Sequence, residues 1–185
     1  MERNDYYSAE EDGITLPNYL QTNPPQKSPI DIKDEGIQAI REQDYPRALE
    51  CFQYAAEHGV FDAMFRYGVM LRSGIATPKD DVEAFNWLKK AANVGHPQAS
   101  YFVGEYYLTG TAVPTDRMQA FKYIKFAAEE AKDLQAMYLL AKLYCDRNLP
   151  IFNLNEAERW MSIPASENFK DAAEALAAIR KINHK

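Results

Sequence analysis

The chain has 185 residues, 46% of them hydrophobic, and a formal net charge of −6. That length holds one domain or one short repeat array, with enough apolar residues to bury a core. The negative charge argues against a nucleic-acid backbone or an anionic membrane as main partner, because both need a basic field; it suits a protein partner with a basic surface. No stretch approaches the roughly 18 apolar residues of a membrane span. MERNDYYSAEEDG lacks the positive n-region and apolar run of a secretory signal, so a cytoplasmic location is expected.

Residues 1 to about 30 read as an extended or partly disordered acidic N-terminal tail. Pro17, Pro24, Pro25 and Pro29 forbid a long helix, and Asp5, Glu10, Glu11 and Asp12 make it acidic. Tyr6, Tyr7, Ile14, Leu16, Tyr19 and Leu20 are apolar anchors in that tail, and partial docking on the rest of the chain is the expectation.

Beyond the tail the sequence repeats itself. Ala48, Ala55 and Gly59 each lie 36 residues before Ala84, Ala91 and Gly95. The same offset links Ala63 with Ala99, Gly68 with Gly104, Gly74 with Gly110, Phe85 with Phe121 and Trp87 with Tyr123. Ala136 continues the series, Ala141 takes the glycine slot, and Ala157 and Trp160 follow after a slip of one residue. Each unit reads as two helices. Ala63, Tyr67, Gly68 and Leu71 form a helical stripe in the first. Asp80 with Glu83, Asp116 with Gln119 and Asn153 with Glu156 have capping-box spacing at the start of the second. One pair cannot bury both its faces, whereas stacked pairs can, which makes a solenoid.

The pattern A-x4-G-x2-[LY]-x2-G, a proline-containing loop, then D-x3-A-x2-[WY]-x3-AA-x2-G resembles the Sel1-like repeat of the tetratricopeptide superfamily. Residues 60–131 carry it in full; in 132–163 Arg147 replaces Gly74 and Gly110. Gly36, Tyr45, Ala48, Phe52 and Ala55 have tetratricopeptide-like spacing. The resemblance implies an all-α, right-handed α/α solenoid of about four helix pairs, residues 31–185, with units near 32–59, 60–95, 96–131 and 132–163 and a C-terminal capping helix at 170–183. It implies a non-catalytic scaffold or adaptor for a protein partner, as a monomer or weak homodimer. An immunity or regulatory protein that inhibits a toxin or enzyme is one concrete form, since an acidic solenoid can cover a basic active site. The alternative is an enzyme or small-ligand binder using the groove, which convergent polar groups around Tyr101, Glu105 and Lys142 would favour.

No catalytic residue, metal site or cofactor is expected, because HExxH, GxSxG, P-loop and GxGxxG signatures are all missing. His96, near Ser100, Lys89 and Lys90, invites a base-and-nucleophile reading. Gly95 and Pro97 instead mark a helix end and a helix start. The slot of His96 is Val60 one period earlier and Lys132 one period later, so the imidazole reads as incidental. Cys51 and Cys145 fall in helices two to three units apart, and stacked helices about 9 Å apart hold them beyond disulfide range. Two free thiols are expected. In solenoids of this kind the first helices line the concave face. Residues off the buried stripe there are Phe65, Arg66, Val69, Arg72, Tyr101, Phe102, Glu105, Leu108, Tyr138, Leu139 and Lys142. Exposed aromatics with arginine have hot-spot composition. The competing assignment for Phe102, Leu108 and Leu139 is packing between repeats.

Overall fold

The computed structural model describes residues 27–183, so the expectations for the tail up to residue 26 lie outside the described residues. Among the described residues all regular structure is helical: α1 (Pro29–Arg41), α2 (Tyr45–Glu57), α3 (Phe61–Ser73), α4 (Asp81–Asn93), α5 (Pro97–Thr109), α6 (Arg117–Ala131), α7 (Leu134–Tyr144), α8 (Leu154–Ser166) and α9 (Ala172–Asn183). Each helix packs chiefly on the one before and the one after it, giving an all-α solenoid of four pairs with α9 on the end. The repeated small residues explain the pairing. A Cβ on Gly36 would stand 2.7 Å from the Phe52 ring, and one on Gly68 would stand 2.8 Å from Leu88 Cγ. Gly104 sits closer still against Ile124, so the first helices α1, α3 and α5 each have a notch for one large side chain of their own second helix.

The loop inside each unit is held by one recurring bond. The backbone N–H of the second helix's cap donates to a carbonyl of the first helix: Asp80 to Leu71 at 3.0 Å, Asp116 to Tyr107 at 2.9 Å and Asn153 to Tyr144 at 2.9 Å. This corrects the capping-box expectation. Asp80, Asp116 and Asn153 do accept from the first-turn amides. The reciprocal half is not formed, because the cap N–H is already taken. Glu83 and Glu156 instead accept from the indole N–H groups of Trp87 and Trp160. The reciprocal box forms at α1, between Ser28 and Asp31, and Pro29 is the first residue of that helix.

The slip of one residue also finds its place. Helix α6 has 15 residues where α4 has 13, and Lys132 takes the left-handed position that Gly59 and Gly95 hold in the earlier joints. The slot of His96 is therefore Asp133, the cap of α7, and not Lys132. The KKAANVGHPQAS stretch is a joint, with Gly95 at φ +89° and Pro97 opening α5.

Candidate functional site: the first-helix groove

Helices α3, α5 and α7 present a groove of about 560 Å³, lined by Phe65, Arg72, Tyr101, Phe102, Glu105 and Gln135, with Ala127 and Ala131 of α6 at its base. Two linked arrays form it. The first is a stack: the His96 ring lies 4.4 Å from Phe65, Phe65 lies 6.1 Å from Phe102, and the Arg72 guanidinium stands 4.4 Å above Phe102. Tyr101 meets Phe102 edge-on at 5.4 Å. Such contacts each add about 0.5–1.5 kcal/mol beyond their burial and fix the rings in place.

The second array is a hydrogen-bond chain. Gln135 Nε2 donates to Tyr101 Oη at 2.6 Å, Tyr101 donates to Glu105 Oε1 at 2.6 Å, and Arg72 Nη2 donates to Glu105 Oε2 at 2.9 Å. Both carboxylate oxygens are engaged, and the Arg72 charge is matched. Burial, and then the bond to Glu105, raise the Tyr101 phenol well above its ordinary pKa, so it stays protonated as a donor. Tyr106, one turn on, is raised by burial and by its bond to Asp81 at 3.0 Å.

The groove thus brings together Phe65, Arg72, Tyr101, Phe102 and Glu105 of the residues expected there. Arg66 turns aside, paired with Asp62 at 2.6 Å and lying 5.8 Å over the Phe52 ring. Val69, Leu108 and Leu139 are half-buried against the core, as the packing alternative holds for the two leucines. Phe102 does both jobs, since it packs on the core and lines the groove. Tyr138 differs most from expectation: it is 6% exposed and belongs to the core. The reason is the turn before α9, where Asp171 accepts the Tyr138 hydroxyl proton and Phe169 packs on its ring at 5.9 Å. That hydrogen bond, with burial behind it, pushes the Tyr138 phenol up to about 12 and holds the Asp171 carboxyl below its usual range. Lys142 stands 5.2 Å over Tyr138 and takes no part in the Tyr101–Glu105 chain.

Two contributors escaped the sequence. His96 is the cap of α5: its Nδ1 accepts from the Ala99 N–H at 3.3 Å while its ring carries Phe65. Burial lowers its pKa, against the opposing pull of Asp62. Its signal was its place directly before Pro97, at a helix start. Gln135 had a signal too, since Gln98 with Tyr101 and Gln135 with Tyr138 repeat one spacing. Cys51 is buried and Cys145 half-buried, and the two form no disulfide, as expected.

Stacked antiparallel helix pairs with an aromatic groove across their first helices define an α/α-repeat protein. The Sel1 repeat family matches residues 34–60, 61–96, 97–131 and 134–163, most of the chain, and the protein belongs to that family. Sel1 repeats generally mediate protein–protein interaction. A 54-residue stretch is 39% identical to the chitin synthase regulator SKT5 of Saccharomyces cerevisiae; it covers 29% of this chain and 8% of that protein. A Sel1 repeat protein of Oxalobacter formigenes is 25% identical with a TM-score of 0.72, over 86% of this chain and 67% of that one. A protective antigen of uropathogenic Escherichia coli strains has the same fold at 20% identity and a TM-score of 0.74, over 84% of this chain and 34% of that one.

Proposed function

We propose that this protein is a non-catalytic scaffold that binds one protein partner in the α3–α5–α7 groove. The observation that carries this reading is the ordered stack of Phe65, Phe102 and Arg72, with Tyr101 locked beside it. Aromatic rings and an arginine held rigid before binding lose little entropy when a partner covers them, and such residues dominate interface energies. Because Glu105 already balances Arg72, the groove holds its partner through apolar burial and stacking, while the net charge of −6 steers a basic surface toward it.

The finer form of the proposal is an immunity or regulatory protein that covers the basic site of a toxin or enzyme. A curated relative that is itself an enzyme regulator is in keeping with it. The same reading puts the protein in the cytoplasm, a reducing compartment that suits two cysteines with no disulfide between them, as a monomer or weak homodimer without nucleic acid. An enzyme or small-ligand reading draws on the convergence of Arg72, Glu105 and Tyr101. It is weaker because the carboxylate and phenol already satisfy one another and Lys142 stands elsewhere.

The test is capture of partners from the native host by the tagged wild-type chain and by an Arg72→Ala/Phe102→Ala variant. A protein retained by the first and lost by the second is the expected result. Equal retention by both overturns the proposal.

A further inference from the structure

The outer side of α6 is chemically unlike the groove. It borders two shallow depressions, one of about 770 Å³ against the end of α4 and one of about 650 Å³ against α8. Lys122, Lys125, Lys132 and Arg159 line them, opposed by Glu129 and Glu156. Glu129 is paired with Lys125 at 3.8 Å; Glu156 is paired with Arg159 at 3.6 Å and accepts from Trp160 at 3.2 Å. Lys122 and Lys132 have no carboxylate within ion-pair distance among the described residues, which leaves a local positive excess on a protein of net charge −6. Phe126 and Trp160 are half-buried between these cations, and Met118 and Ile163 are exposed beside them.

The chain carries a segment of complementary chemistry. Residues 1–26 hold five acidic residues against one arginine, four of the six net negative charges, together with Tyr6, Tyr7, Leu16, Tyr19 and Leu20. Fully extended, these 26 residues reach up to roughly 90 Å. Helix α6 lies two units beyond α1, roughly 40 Å at about 8–10 Å per packed helix. The first-helix groove suits such a segment poorly, because Glu105 neutralises Arg72 and Asp133 stands at its edge.

We propose that residues 1–26 dock in cis on the basic, aromatic outer side of α6, with their carboxylates on Lys122, Lys125 and Lys132 and their aromatic rings in the flanking depressions. The scaffold then masks its own second-helix face while the first-helix groove stays open.

The full chain is used to test this, with a spin label on Ser8→Cys in a Cys145→Ser background and buried Cys51 left in place. The amides of residues 122–126 and the Trp160 indole N–H are expected to broaden. The broadening is lost in Lys122→Glu/Lys125→Glu, and in about 0.5 M salt, where screening shortens charge attraction to a few ångströms. Glu10→Gln/Glu11→Gln/Asp12→Asn, which lies outside the described helices, removes it as well. Broadening centred on Phe102 and Gln135, broadening that survives these changes, no broadening at all, or broadening only when labelled and isotope-enriched chains are mixed each overturns the proposal.

Discussion

The two faces of this solenoid are built from one repeat and yet differ in how their charges are settled. On the first-helix side Arg72, Glu105, Tyr101 and Gln135 close into a chain that leaves aromatic rings as the open surface. On the second-helix side of α6, Lys122 and Lys132 stand without a partner carboxylate among the described residues. A repeat fixes the backbone and the core and leaves the outer positions to vary, so one scaffold offers a stacking surface and an electrostatic surface at the same time.

The two faces meet at Gly104 and Ile124, where α5 admits the α6 side chain into its notch. Ile124→Ala should therefore disturb both. Ile124 is fully buried, and its truncation is expected to cost about 2–5 kcal/mol in urea unfolding. Phe102→Ala separates them. It removes a half-buried ring from the groove floor and should cost about 1–3 kcal/mol of stability, whereas Lys122→Ala, at an exposed position, should stay within about 0.5 kcal/mol. Equal losses would show that the groove rings are not pre-organised.

His96 makes the first-helix side sensitive to pH. Its folded pKa is lowered, so the native site wants the neutral ring, whose Nδ1 caps α5. Above the ordinary imidazole pKa of about 6.5 both states are neutral and its contribution is complete. As pH falls through that value the unfolded chain takes the proton first, and stability drops until the folded value is passed. His96→Asn keeps a capping acceptor and should flatten this slope, while His96→Ala should cost about 1 kcal/mol at neutral pH. Denaturant midpoints between pH 5 and 8 read both. The smallest effect belongs to Lys142→Ala, which leaves the Tyr101–Glu105 chain intact and should change partner affinity less than about two-fold, a surface-residue effect.

What the sequence disclosed follows the same division. The notches at Gly36, Gly68 and Gly104 are legible because a close helix approach admits only a small residue, and it recurs with the period. Asp80, Asp116 and Asn153 are legible as caps for the same reason. The side chains of Glu83 and Glu156 were not, since an indole N–H a turn away competes for them and spacing does not show which donor wins. Tyr138 reads as a groove residue by period, and it is buried because Phe169 packs on its ring and Asp171 accepts its hydroxyl proton. His96 reads as incidental when its slot one period on is Lys132; the lengthened α6 moves that slot to Asp133, another capping residue.

In the function proposed above, the stacked rings of the first-helix groove hold the partner. The most direct measurement of this is the affinity of the captured partner for the wild-type chain, for Phe102→Ala and for Lys122→Glu. A loss of about ten-fold or more with Phe102→Ala, the scale of a hot-spot residue, and less than about two-fold with Lys122→Glu, is the expected result. Full affinity in Phe102→Ala with a large loss in Lys122→Glu would contradict it and move the binding surface to the other face.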